Sequence, residues 1–298
     1  MLVAEKLPFL YRVYKPIDMS LMYMGNVRIL GKSPLTILRN YINRFLFKVV
    51  FVEKKVVISE LYDNSKIFVK LNDQASASLL FEGRKNDAVA DRLVALSDSA
   101  QCFIDVGSNY GYFTVVIGRR HPEMSVIAVE PNPQLVRLIR KSVYINSLSK
   151  VQVVSAACGD CHGEILLNVN ENSSGVSYVS TINSTNKSQV TVDTLPVDDL
   201  FLKAYDPTDA RPVLLKIDVE GFEVPVFKGA SKLLASKPII VCELNKQTYN
   251  EINNIVNGFG LSIYKIDGTP VDHKYLNSLG RKNVDVLVCS PELLKSVT

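Results

Sequence analysis

From residue 102 onward, short apolar runs alternate with stretches of helical spacing. Residues 102–106 (CFIDV), 125–130 (SVIAVE), 151–157 (VQVVSAA), 213–219 (VLLKIDV) and 238–244 (PIIVCEL) are short, apolar and partly β-branched. Such runs predict strands. Helices are predicted over 110–120, 131–145 and 247–256, and from the end of the fourth run to about residue 235. Residues 261–266 read as extended, and 284–289 as a strand that closes the chain. Strands that lack polar alternation and are separated by helices predict an α/β fold, its parallel sheet covered on both faces.

The chain before residue 100 follows a different pattern. Apolar residues at Ile42, Phe45, Leu46, Val49 and Val50 have helical spacing over 39–51, flanked by Arg44 and Lys48. Residues 56–61 and 66–71 read as two strands joined by a turn with Asp63 and Asn64, and 86–96 as a helix. Between the third and fourth strands lies an insertion. It holds two further strand-like runs, 164–169 and 190–195, around a polar stretch from 170 to 189. A loop rich in Asn, Ser and Thr beside a binding edge is suited to closing over a hydroxylated ligand. Its N-x-S/T triplets at Asn172, Asn183 and Asn186 read as accidents of that composition.

Composition narrows the class. Hydrophobic residues make up 47% of the 298 and charged residues 21%, as expected of a globular chain with a sizeable core. The net charge of +4 is too mild to predict nucleic-acid binding. It is unevenly placed: residues 1–72 hold twelve Lys and Arg against five Asp and Glu. This divides the chain into a basic N-terminal extension, 1–72, and a main domain, 73–298. No secretory signal is read at the start, and the apolar run at 45–52 is far short of the ~20 residues that span a bilayer. Five cysteines, three of them in strand-like runs, read as reduced thiols in a cytoplasmic protein. Cys158 and Cys161 have C-x-x-C spacing but lack the second pair of a structural zinc site, so no metal is expected.

The chemistry concentrates at the strand ends. The turn Asp105-Val106-Gly107-Ser108-Asn109-Tyr110-Gly111 follows the first central strand. Gly107 permits a tight turn there, and Gly111 a close backbone approach. A ligand can then lie across the strand's carboxyl end. Glu130 ends the next strand, where a carboxylate can accept from both hydroxyls of a ribose. Asp160, after the third strand, is an acceptor suited to an adenine amino group, and the three acids are expected to share one crevice. In the fourth strand, alternation places Lys216, Asp218 and Glu220 on one face. Charges in an apolar strand are costly unless paired, which points to a mutually paired cluster or a substrate-facing acid/base group. His162 follows Asp160 closely.

Taken together, CFIDVGSNYGYFT, VIAVEPNP, SAACGD, VTVDTLPVDDL, LLKIDVEGFEVPVFKGA and IIVCELN resemble the FkbM family of methyltransferases over roughly residues 100–270. The resemblance implies a Rossmann-like, seven-stranded class I methyltransferase sheet and S-adenosyl-L-methionine as cofactor. It also implies O-methylation, often of sugar or polyketide hydroxyls. By its motifs, Asp105, Gly107, Asn109, Gly111, Glu130 and Asp160 are expected to bind the cofactor. Asp218 is the expected general base, with Glu220 and His162 as rivals and Lys216 as its charge partner. Glu243 and Asn245 are expected to meet a sugar or other small-molecule acceptor. The alternatives are a methyltransferase acting on nucleic acid or protein, and a non-catalytic module. In the latter, residues 1–72 would dock on a membrane surface or a glycosyltransferase.

Overall fold

The computed structural model describes residues 56–71, 73–85, 88–170, 174, 178–180, 189–279 and 283–297. The helix expected over 39–51, most of the basic extension and the three N-x-S/T asparagines lie outside these residues. An antiparallel hairpin comes first, β1 (Val56–Glu60) and β2 (Lys66–Lys70). Asp63 turns it by accepting hydrogen bonds from the backbone N–H and the hydroxyl of Ser65. A short 3-10 turn (Gln74–Ser76), α1 (Ala77–Phe81) and α2 (Ala88–Ser97) lead into the main sheet. The chain continues through β3 (Cys102–Val106), α3 (Tyr112–Arg120), β4 (Ser125–Val129), α4 (Pro133–Ile145) and β5 (Val151–Val154). Then come β6 (Ala157–Gly159), β7 (Gly163–Asn168), β8 (Tyr178–Ser180), β9 (Gln189–Pro196) and α5 (Val197–Ala204). The last part runs β10 (Val213–Ile217), α6 (Glu223–Lys228), α7 (Ser231–Ala235), β11 (Ile239–Leu244), α8 (Lys246–Asn257), β12 (Ser262–Lys265), α9 (His273–Leu279), β13 (Val284–Cys289) and α10 (Pro291–Val297).

Seven strands form one sheet in the order β12-β13-β11-β10-β3-β4-β5. Neighbours from β11 to β5 are parallel, and β13 is antiparallel to both β11 and β12. From β3 the chain first adds strands on one side, β4 and β5, and later on the other, β10 and β11. The switch point between β3 and β10 is where an open α/β sheet leaves a crevice at its carboxyl edge. Every residue of β3 and β10 is buried, which is why both are apolar on both faces apart from Asp105 and Lys216.

Two large apolar clusters cover the two faces of the sheet. One takes in Ile67, Val69 and Leu71 of the hairpin region together with Phe103, Val126 and Leu138. The hairpin thus shares the core of the domain expected to begin at residue 73. Its free edge is fastened to α4. Ser142 Oγ accepts from the Phe68 N–H, and Asn146 exchanges two hydrogen bonds with the backbone of Lys66, as a neighbouring strand would.

Three expectations are corrected. The third strand stops at Val154, and the chain leaves the main sheet to form β6, which pairs with β9 in a separate four-stranded sheet, β6-β9-β7-β8. The single helix expected after β10 is two short ones, α6 and α7; Asp198 of α5 starts the second by accepting from the N–H groups of Lys232 and Leu233. The chain does not end with β13, because α10 follows it.

Candidate active site

The turn after β3 is built by its partners. The Gly107 and Ser108 N–H groups both donate to the Val129 carbonyl, which ties the turn to the end of β4. Gly107 has φ +75°, and a Cβ there would stand 1.9 Å from the Asp218 carbonyl oxygen, so only glycine fits. Gly111, with φ +78°, starts α3, and a Cβ there would press on Ile139 at 3.1 Å. Between them Asn109 also has positive φ, +52°. Its N–H points at Glu130 and donates to Oε2 over 2.8 Å.

Glu130 lies just beyond β4 and is nearly buried. Oε1 accepts from the Asn132 N–H at 2.9 Å. Burial pushes its carboxyl up to about 7, against the pull of the Asn132 and Asn109 N–H groups. Each oxygen accepts one N–H and keeps a further acceptor direction. The residue lines a cavity of about 450 Å³ across the carboxyl ends of β3, β4 and β10. Asn109, Glu130, Cys158, Lys216, Asp218 and Glu220 are in its wall.

At the β3–β10 seam a charged group is paired by register. Asp105 and Lys216 are direct partners across the two strands. Lys216 Nζ lies 3.6 Å from Asp105 Oδ1 and 3.3 Å from Asp218 Oδ2, and donates to the Gly107 carbonyl at 3.3 Å. Asp105 is fully buried beneath the turn, with Oδ2 accepting from the Thr114 hydroxyl at 2.7 Å. Burial pushes the Asp218 carboxyl up, but the Lys216 and Lys85 ammoniums outweigh it and its pKa is lowered. Burial likewise acts against Lys216, yet Asp218 and Asp105 hold its pKa above the ordinary value. Glu220 stands in the cavity wall in a left-handed conformation, φ +50°. Burial, then the charges of Asp218 and Glu243, push it up to about 7. Glu243 is also raised, by burial and Asp218, and accepts from Asn283 Nδ2 at 3.0 Å.

The structure brings together Gly107, Asn109, Glu130, Lys216, Asp218, Glu220 and Glu243 around this cavity. It does not bring in the others. Asp160 is exposed outside the cavity wall, because the chain left the main sheet three residues before β6 and carried it away. The crevice of three acids is therefore replaced by one in which Ala156, Ala157 and Cys158 form that wall. Asp105 is not in the wall but behind it, as the buried partner of Lys216. His162 is exposed and pairs with Asp199 at 2.8 Å, away from the cavity. Asn245 opens α8 in a reciprocal cap with Thr248. Among the described residues no cluster of His, Cys, Asp and Glu is arranged to hold a metal ion. No helix among them is long and apolar enough to cross a membrane.

Sequence reasoning missed four residues. Lys85 and Phe113 both line the cavity, with Lys85 Nζ 5.2 Å from the centre of the Phe113 ring. Ser174, inside the polar insertion, reaches the wall and donates from its hydroxyl to Asn109 Oδ1 at 3.2 Å. Asp73, fully buried, joins Ser174 to Tyr110. Only Asp73 left a local trace, an acidic residue placed to cap the following helical turn.

Comparison with known proteins extends the picture. Methyltransferase 1 of Beauveria bassiana is 22% identical over 201 residues, covering 60% of this chain and 80% of that protein. Methyltransferase sdnD of Sordaria araneosa is 26% identical over 157 residues; the match covers 43% of this chain and 60% of that one. Among solved structures, M. jannaschii TYW2 in complex with AdoMet is similar with a TM-score of 0.41 and 11% identity, covering 79% of this chain and 85% of that chain. The description "Methyltransferase FkbM domain" matches residues 105–277. That stretch is more than half of the chain and runs from the buried partner of Lys216, through the glycine turn and Glu130, to β12 and beyond: the protein belongs to the FkbM methyltransferase family, and its cofactor is S-adenosylmethionine.

Proposed function

We propose that the protein transfers a methyl group to a hydroxyl of a sugar, glycan or other small hydroxylated acceptor, with Glu220 as general base. The observation that carries this reading is the contrast between two neighbouring carboxylates. Asp218 is paired with Lys216, while Glu220 has no ion-pair partner among the described residues and faces the same cavity.

The residues present fit the cofactor. Gly107 lines the cavity with no side chain of its own, and the absence of a Cβ lets the turn lie against the Asp218 carbonyl at the end of β10. Glu130 offers one free acceptor direction on each oxygen, the pattern that two vicinal ribose hydroxyls require. Asn109 fixes that carboxylate from one side and Asn132 from the other. When bound, S-adenosylmethionine supplies an electrophilic methyl group on a sulfonium. An alcohol attacks such a carbon well only as its proton leaves. A base works best when its pKa lies near the working pH. Glu220 meets that condition at about 7, whereas Lys216 holds Asp218 too low. The role first expected of Asp218 is therefore reassigned: it shields Lys216 and holds the turn, and Glu220 accepts the acceptor's proton. Glu243, held by Asn283, is placed to orient further hydroxyls. The carboxylates Asp218, Glu220 and Glu243 on this wall disfavour a polyanionic acceptor such as nucleic acid.

The experiment is a methyl-transfer assay with labelled S-adenosylmethionine against a panel of sugars, glycolipid precursors, RNA and peptides. Labelled sugar or glycolipid, with transfer abolished in Glu220→Gln, supports the reading. Transfer to RNA or peptide alone, or full turnover in the variant, contradicts it.

A further inference from the structure

Asp73 is a fully buried carboxylate that the chemistry proposed above does not use. It lies behind the cavity wall, in the short segment between β2 and the 3-10 turn. Its Oδ1 accepts from two backbone N–H groups, Ala75 at 2.9 Å and Ser174 at 3.0 Å. Its Oδ2 accepts from the Tyr110 hydroxyl at 2.7 Å. Ala75, Ser174 and Tyr110 all line the cavity, yet they come from three separate parts of the chain. Ala75 belongs to the segment after the hairpin, Tyr110 to the glycine turn, and Ser174 to the insertion.

The chain of contacts continues to Glu130. The Ser174 hydroxyl donates to Asn109 Oδ1 at 3.2 Å, and the Asn109 N–H donates to Glu130 Oε2 at 2.8 Å. A buried carboxylate is costly unless donors surround it, so three donors from three segments hold their segments to one point. We infer that Asp73 is a positioning residue for cofactor binding. It clamps the insertion and the N-terminal segment onto the glycine turn and, through Ser174 and Asn109, fixes the orientation of Glu130. This rests on the assignment of Glu130 as the ribose contact.

The test is calorimetric titration with S-adenosylhomocysteine of the full chain and of Asp73→Ala, Asp73→Asn, Ser174→Ala and the Asp73→Ala/Ser174→Ala pair. Melting of each ligand-free protein is measured alongside. Asp73→Ala removes all three acceptor contacts and is expected to weaken binding about tenfold or more. Asp73→Asn keeps one oxygen for the two N–H groups and is expected to recover most of that loss. Ser174→Ala keeps its N–H on Asp73 but loses the bond to Asn109, for a loss of about threefold. The double variant is expected to lose less than the product of the single losses, because both act along one chain. A role in folding alone would lower melting and leave affinity unchanged, and that result overturns the inference. If Asp73→Ala does not fold, the other two single variants decide: weakened binding in Ser174→Ala supports the inference, and wild-type affinity in both overturns it. If the unsubstituted protein binds no S-adenosylhomocysteine, the cofactor assignment falls first and this inference with it. Tight wild-type binding with unaffected variants overturns the inference alone.

Discussion

Gly107 and Asp218 meet where β3 and β10 end. These strands pair Val106 with Ile217, and the next residues, Gly107 and Asp218, come so close that a Cβ on the first would overlap the carbonyl of the second at 1.9 Å. Gly107→Ala is therefore expected to push the two strand ends apart. With the strain of φ +75°, the loss in stability should be about 1–3 kcal/mol. Cofactor affinity should fall by more than about tenfold. Denaturant unfolding and calorimetry read the two effects separately.

Lys216 is buried between two carboxyl groups, and removing it leaves the buried Asp105 without its only ion-pair partner among the described residues. Lys216→Met is expected to cost about 3–5 kcal/mol, the usual result of breaking a buried pair on one side. Lys216→Met combined with Asp105→Asn should recover much of it, as measured by urea unfolding. Equal losses in the single and double variants would show that the pair carries no such coupling.

Glu130 has a folded pKa of about 7, above its ordinary 4.5. A raised carboxyl favours the folded state while it stays protonated. Its contribution to the stability of the ligand-free protein is thus full below about 4.5 and is lost as pH rises through about 7. With the ribose contact proposed for Glu130, cofactor binding is expected to run the other way, because hydroxyls donate to the carboxylate. Affinity for S-adenosylhomocysteine should be about tenfold weaker at pH 6 than at pH 8, with a proton released on binding at the lower pH. Calorimetry in buffers of different ionisation enthalpy counts that proton. In Glu130→Gln the pH dependence should vanish, whereas in Glu220→Gln it should persist.

Turnover should rise with pH through about 7, as Glu220 ionises. Glu220→Gln is expected to lower kcat by about 10²–10⁴-fold while leaving cofactor affinity near wild type. A kcat limb that stays at about 7 in the variant assigns the base elsewhere.

Much of the fold was legible because its strands are buried on both faces. Residues 102–106 and 213–217 carry no polar alternation and are apolar apart from one charge each, Asp105 and Lys216. Glu130 and Gly107 were legible for a related reason: each ends such a run, where an α/β sheet binds its ligands. Asp160 was misplaced because VQVVSAA reads as one strand. Nothing local shows that its last residue, Ala157, pairs with Thr194 in a second sheet. The Asp105–Lys216 pair was hidden as well, since alternation grouped Lys216 with Asp218 and Glu220 while strand register set it against Asp105. Asp73 and Ser174 lie 101 residues apart, and their bond joins a side chain to a backbone N–H, which leaves no pattern in sequence.

The most direct test is calorimetric titration of the protein and of Glu130→Ala with S-adenosylmethionine and S-adenosylhomocysteine. Micromolar binding of both ligands by the unsubstituted protein, lost in the variant, is the expected result, since two charge-assisted hydrogen bonds to the ribose disappear together. Equal affinity in the two proteins would contradict the placement of the ribose on Glu130, and with it the orientation of the cofactor toward Glu220.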